Sequence, residues 1–311
     1  MIWPPIMRIF AKMMTEERKV KYCVHITSTM TLGTLFSYLL SAGMIAAVEW
    51  RFVFFAAAVC MCLAALVFKH GFTTVERYSL MQEKQICEDV IGEHTVDHVT
   101  NENMLAGQGA SSMPFSKLLV TSGLLVLLVP VVVHGVLKDG VTSWIPTYIS
   151  ETFQVSATMS VLVTTMLPIV NLTGAYAAQF MYRRFFHRQE VKTAAFFFFV
   201  AMVGLVLLWR FSAVNMFLAA GLLSVITASM MAVNTLFVNL LPLRFEKEGR
   251  VSTVSGFLNS MAYLGCAIST YGIGVFVQHA GWKAMIFGWL LMTVVAMMVC
   301  FMGRKYILEK F

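Results

Sequence analysis

Residues 118–144 read LLVTSGLLVLLVPVVVHGVLKDGVTSW. Apart from His134, Lys138 and Asp139, no side chain in this stretch ionises. At about 1.5 Å of rise per residue, a helix of this length outreaches the roughly 30 Å hydrocarbon core of a bilayer. Hydrocarbon offers backbone N–H and C=O groups no water partner, so such a run must cross as a helix. Ionisable groups inside a span cost about 2.5–3.5 kcal/mol each on insertion scales, which makes these three functional candidates.

Similar apolar runs lie near 24–48, 51–68, 156–182, 193–209, 214–241, 251–278 and 284–302. With 118–144 they make eight expected spans. Residues 1–14 add an apolar stub too short to cross. Trp3-Pro4-Pro5 follows Met1 without a basic leader, so no cleavable signal peptide is expected. Composition points the same way: of 311 residues, 59% are hydrophobic and only 13% charged. That is too little charge to cover a soluble domain. The expected fold class is an all-α integral membrane bundle.

The net charge of +7 invites a nucleic-acid reading, but its placement argues against one. If the segment before the first full span is cytoplasmic and sides alternate, 19 of the 23 Lys and Arg residues become cytoplasmic. They lie in 1–21, 69–117, 183–192, 244–250 and 304–310, leaving only Arg51, Lys138, Arg210 and Lys283. This positive-inside bias predicts a multi-pass protein of the cell membrane with its C-terminus in the cytoplasm.

One connection is long. Residues 69–116 carry Glu76, Glu83, Glu88, Asp89, Glu93, Asp97 and Glu102, and end in Gly107-Gln108-Gly109-Ala110-Ser111-Ser112. The expected organisation is an incomplete front bundle over 1–68, a linker over 69–116 and a six-helix rear bundle over 117–311. Two bundles joined by a long linker is a layout of transporters built from repeats.

Within the spans, His134 and Lys138 stand four residues apart and are expected on one face. Asp139 should point about 100° away and need a partner on another helix. A cation facing a bundle interior can hold an anionic solute, and an acid or histidine can carry a coupling proton. Against this, the helix can be read to end near Trp144-Ile145-Pro146, which would let Lys138 snorkel to the interface and Asp139 pair there with it or with a backbone group. Asn171, Asn234 and Asn259 are amides in apolar surroundings, and Asn259 shares a face with Tyr263. Helix–helix hydrogen bonding is the commoner role of such amides, and a solute contact is the alternative. Pro130 and Pro168 are expected to kink their helices.

Other features read as structural. Cys23, Cys60, Cys62, Cys266 and Cys300 lie in or beside apolar runs and Cys87 in the polar loop, without any CxxC pair. His94 and His98 flank Asp97, but no further ligands stand at suitable spacing, so no metal or cofactor is expected. Asn171-Leu172-Thr173 matches a glycosylation sequon inside a span and is discounted. The 23 methionines and Phe196 to Phe199 are lipid-facing or packing bulk.

Three stretches carry a family likeness. They are Trp3-Pro4-Pro5 with Glu16-Glu17-Arg18; Lys138-Asp139-Gly140 through Trp144-Ile145-Pro146-Thr147-Tyr148; and Gly256-Phe257, Tyr263-Leu264-Gly265 and Gly281-Trp282. On these the chain resembles the major facilitator superfamily, and within it the organophosphate:phosphate antiporter branch. The resemblance implies that Lys138 stands where the branch has a phosphate-binding arginine, and Thr29 where it has a functional histidine. It also implies that helices one to three and part of four are not in this sequence. Lysine lacks the bidentate fork of arginine, so an organic acid is as fitting a solute as a phosphate ester. The expected function is secondary transport of a small anionic or polar solute by alternating access, coupled to a proton or phosphate. An inert fragment, a transporter-like sensor and a membrane-embedded enzyme are the alternatives, the last opposed by the scarcity of intramembrane ionisable residues.

Overall fold

The structure is a computed structural model and describes Pro4 and residues 6–7, 16–47, 50–92, 114–211 and 214–307. Among these residues every regular element is helical. In chain order they are α1 (Glu16–Ala47), α2 (Trp50–Gly92), α3 (Phe115–Thr121), α4 (Leu124–Gly135), α5 (Val141–Phe153), α6 (Ala157–Thr164), α7 (Met166–Arg184), α8 (Glu190–Phe211), α9 (Met216–Asn234) and α10 (Val251–Ile307). A π-helical turn, Val136–Gly140, joins α4 to α5, and another, Thr235–Leu240, extends α9 into a 3-10 turn at Leu241–Phe245.

Seven stretches are long and apolar enough to cross a membrane: Lys21–Ser41, Arg51–Gly71, Leu124–Phe153, Thr158–Arg184, Glu190–Phe211, Met216–Phe245 and Val251–Gly303. The last runs through two helical legs. Gly281 between them has φ 77° and ψ 168°, a conformation open to glycine almost alone. Beyond it Trp282 donates Nε1–H to Glu151 Oε2 at 2.7 Å and meets Tyr148 edge to face at 5.2 Å, fixing this turn against α5.

The chain divides into two compact units. The second, Leu40–Gln108, contains α2. The expected linker from residue 69 begins inside this helix, because α2 continues to Gly92. Residues 72–91 contain neither Pro nor Gly, so nothing in them stops a helix already under way. Polarity marked the end of the apolar run, not of the helix. His94, His98 and most of the 1–14 stub lie outside the described residues.

The first unit, Met1–Leu39 with Gly109–Phe311, holds α1 up to Leu39 and all of α3 to α10. Its α10 packs chiefly on α4 and α8, and α9 on α7 and α8. Glycine sets these approaches. A Cβ on Gly135 would run into the Ala262 carbonyl, and one on Gly265 into the Val132 carbonyl, so α4 and α10 touch backbone to backbone. Gly174 meets Ala228 in the same way between α7 and α9. Close packing of this kind holds helices together where lipid supplies no hydrophobic drive.

Two further expectations change. The span near 118–144 breaks at Gly123, whose φ of 70° is left-handed, and α4 starts after it. At the other end the helix passes Pro146 and runs to Phe153. Lys138 therefore sits at the midpoint of Leu124–Phe153 rather than in its outer part. Membrane helices tolerate such a proline where neighbouring groups satisfy the freed carbonyl. Pro168 stands in the first turn of α7, where a missing N–H costs nothing.

Candidate functional site

The centre of the first unit is unusual in its backbone. Lys138 and Asp139 lie in one π-helical turn, and Asn234 immediately precedes the other. Such turns insert an extra residue, widen the helix and free backbone groups, and they recur at functional sites. Gly140 closes the first turn against Ser269 of α10, where a Cβ would collide with the serine hydroxyl.

Between these turns and α10 lies a cleft of about 70 Å³. Its polar lining is Lys138, Asp139, Asn234, Asn259, Tyr263 and Thr27, the last supplied by α1. At roughly 10–15 Å³ per water, the space admits a few waters or a small polar group. The structure thus brings together five of the candidates that stood out in the sequence. His134 supports them from behind. It is fully buried, with Nδ1 2.7 Å from the Val131 carbonyl and Nε2 3.1 Å from Asn234 Oδ1. Asn171 lies elsewhere: its Oδ1 is bonded at 2.8 Å to the Thr227 hydroxyl, joining α7 to α9 beside Gly174.

Of the two readings of Asp139, a partner on another helix or a pair with Lys138, the structure has the second: Lys138 Nζ lies 3.0 Å from its Oδ1, with the two side chains 16% and 36% exposed. The long lysine stem wraps around the helix far enough to close a gap between neighbours in sequence. The cleft consequently presents an ion pair rather than a bare cation. His134 is turned to α9, where it bonds Asn234.

Sequence reading overlooked Thr27, Met30, Met231, Val238 and Ala262 in the cleft wall, and Asn239 beside it. Thr29, aligned with the histidine of the resembled branch, is exposed and bonded to the Ile26 carbonyl at 2.7 Å. The polar residue facing the cleft is Thr27, whose Oγ1 accepts from Asn239 Nδ2 at 2.9 Å. Asn239 is fully buried, and its Oδ1 has no partner among the described residues. A signal was present in Thr27-Ser28-Thr29, three hydroxyls in an apolar run, but such side chains commonly bond their own helix.

No cluster able to hold a metal occurs among the described residues. At one end of the bundle, Arg244 ties three elements together. It bonds Glu190 at 2.6 and 3.0 Å and the Arg188 carbonyl at 3.0 Å, while Tyr182 donates to Glu190 at 2.9 Å.

Membrane-spanning helices, glycine-set contacts and a polar cleft at mid-span describe a membrane transport protein. Residues 1–270 match the model of the Major Facilitator Superfamily, and the chain belongs to that family. Its members are transporters. No curated protein matches the sequence. Among solved structures, the chain is similar to a bacterial homologue of the iron transporter ferroportin in its outward-facing state. Identity is 14% and the TM-score 0.45, over 90% of this chain and 65% of that one. The chain therefore spans about 65% of the length of that transporter.

Proposed function

We propose that the cleft is part of the solute path of a secondary transporter for a small anionic or polar solute, worked by alternating access. The observation that carries this is a lysine at the midpoint of a span, in a π-helical turn, facing a polar cleft. Lys138 is the anion contact in this reading. Its point charge accepts a carboxylate as readily as a phosphate ester, and the likeness to the organophosphate:phosphate antiporter branch supports the anion class. Asn234, Asn259, Tyr263 and Thr27 supply neutral hydrogen bonds that orient the rest of the solute.

The ion pair adds a coupling logic. An incoming anion competes with Asp139 for Lys138, and a proton arriving on Asp139 removes the competitor. Solute anion and proton then travel together, charge-balanced, through low-dielectric surroundings. The two legs of α10 cross the bilayer separately in this scheme, which gives eight spans, and the basic connections face the cytoplasm.

The test is uptake into proteoliposomes by the protein expressed from its complete reading frame, against radiolabelled carboxylates and phosphate esters. A hydrogen bond to a charged group contributes about 1.5–3 kcal/mol, so Lys138→Ala should lower apparent solute affinity about tenfold to a hundredfold. Unchanged uptake in Lys138→Ala, or no transport of any anion by the wild type, removes the reading.

A further inference from the structure

A second cavity lies away from the cleft, between α8 and the final leg of α10. It measures about 270 Å³ and is walled by Phe186, Ala195, Phe196, Phe199, Cys300 and Phe301, with Lys192 as its one charged residue. The spacing makes this a built slot. Lys192, Phe196 and Phe199 stand at i, i+4 and i+7 on α8 and so form one stripe leading inward from the first helical turn. Ala195, at i+3, supplies the small residue that leaves room between the aromatic walls. Phe199 and Phe301 are 48% and 59% exposed, so the slot opens sideways to whatever surrounds the bundle, not to the central cleft.

Because Glu190–Phe211 is a membrane-crossing stretch, those surroundings are acyl chains along most of its length and head groups at its first turn. Lys192 sits at that first turn and forms no ion pair among the described residues; the nearby Glu190 is occupied by Arg244 and Tyr182. A cation at head-group depth above an aromatic slot matches one chemistry, a fatty chain carrying an anionic phosphate. We propose that this slot is a binding site for an anionic phospholipid, the head group on Lys192 and one acyl chain along Phe196, Phe199 and Phe301. Basic pockets between membrane helices bind such head groups through charge, and the apolar wall adds affinity for the chain.

A nearby alternative at the same end provides the control. Arg183 and Arg184 line a wider, shallower cavity with Tyr176, Gln179 and Phe180, and a diffuse attraction of anionic lipid to this end would act through them equally. The experiment is native mass spectrometry of the delipidated full chain, titrated with phosphatidylglycerol or phosphatidylcholine of identical chains. The wild type should retain phosphatidylglycerol at least fivefold better than phosphatidylcholine. Lys192→Gln should bring the two to parity, while Arg183→Gln with Arg184→Gln keeps the preference. Equal retention of both lipids by the wild type, or a preference that survives Lys192→Gln and disappears with the arginine pair, overturns the proposal. The measurement is independent of transport, so it stands or falls separately from the function proposed above.

Discussion

His134 has little freedom in what it can do. The Val131 carbonyl only accepts, so Nδ1 carries a hydrogen. A neutral ring then leaves Nε2 as an acceptor, which calls for the NH₂ end of the Asn234 amide; a charged ring donates and calls for its oxygen. Asn234 also lines the cleft, so its amide orientation links the buried histidine to whatever occupies that space. Asn171, by contrast, joins two helices away from the cleft. Leaving a buried partner unsatisfied costs about 1–3 kcal/mol, so Asn234→Ala should lower thermal stability in detergent by that amount and weaken solute binding as well. Asn171→Ala should cost about 0.6 kcal/mol and leave solute affinity unchanged. Melting curves paired with binding isotherms for the two variants distinguish them, and equal effects on binding would make Asn234 a packing residue. The cleft's charged and amide residues were legible because each is costly in an apolar run. Asn239, an amide in the 214–241 run, carried the same signal and was passed over, while Thr27 was not legible because hydroxyls in a span commonly bond their own helix.

At the scale of elements, hydrophobic runs located the helices but not their ends. Apolar length fixes where lipid begins and stops, whereas a helix can run on into polar sequence, and α2 passes Gly71 and continues to Gly92 without meeting a proline. Pro146 read as a terminus because proline ends helices in water; here the chain passes it. The π-helical turns left no trace in the pattern, as one inserted residue barely shifts a run of valines and leucines. The glycines of these helices differ sharply in what they touch. Gly265 lies against the Val132 backbone, while Gly272, seven residues along the same helix, has nothing within 4 Å. Gly265→Val must therefore push α10 away from α4 and distort the wall beside Lys138, at about 1–3 kcal/mol or more. Gly272→Ala should be neutral or slightly stabilising, because alanine is the better helix former by about 1 kcal/mol. Thermal unfolding of both variants checks this; a Gly265→Val protein as stable as the wild type would mean that the two helices do not touch there.

For the whole molecule, the two ends of the bundle are chemically distinct. Arg244 reaches Glu190 and the Arg188 carbonyl, so the connection after α7 and the one before α10 share an end. Glu151 and Trp282 meet at the other, since Thr158–Arg184 leads the chain from one end to the opposite one. The first of these ends carries Arg183, Arg184, Arg188, Lys192, Arg244, Lys247 and Arg250, and the positive-inside rule predicts that it faces the cytoplasm. On a cysteine-free background, His187→Cys and Lys247→Cys should therefore resist a membrane-impermeant maleimide added to intact cells and react once the membrane is opened. Gln154→Cys and Val214→Cys should react from outside. Reaction of His187→Cys and Lys247→Cys from different sides would break the shared end and with it the alternation of spans. Reaction of both from outside would keep the bundle and reverse its orientation. The cleft's position makes the result matter beyond topology. Lys138 stands at the midpoint of its span, so in the proposed scheme a solute held there is equally far from both ends, and alternating access would need only a change in which end is open.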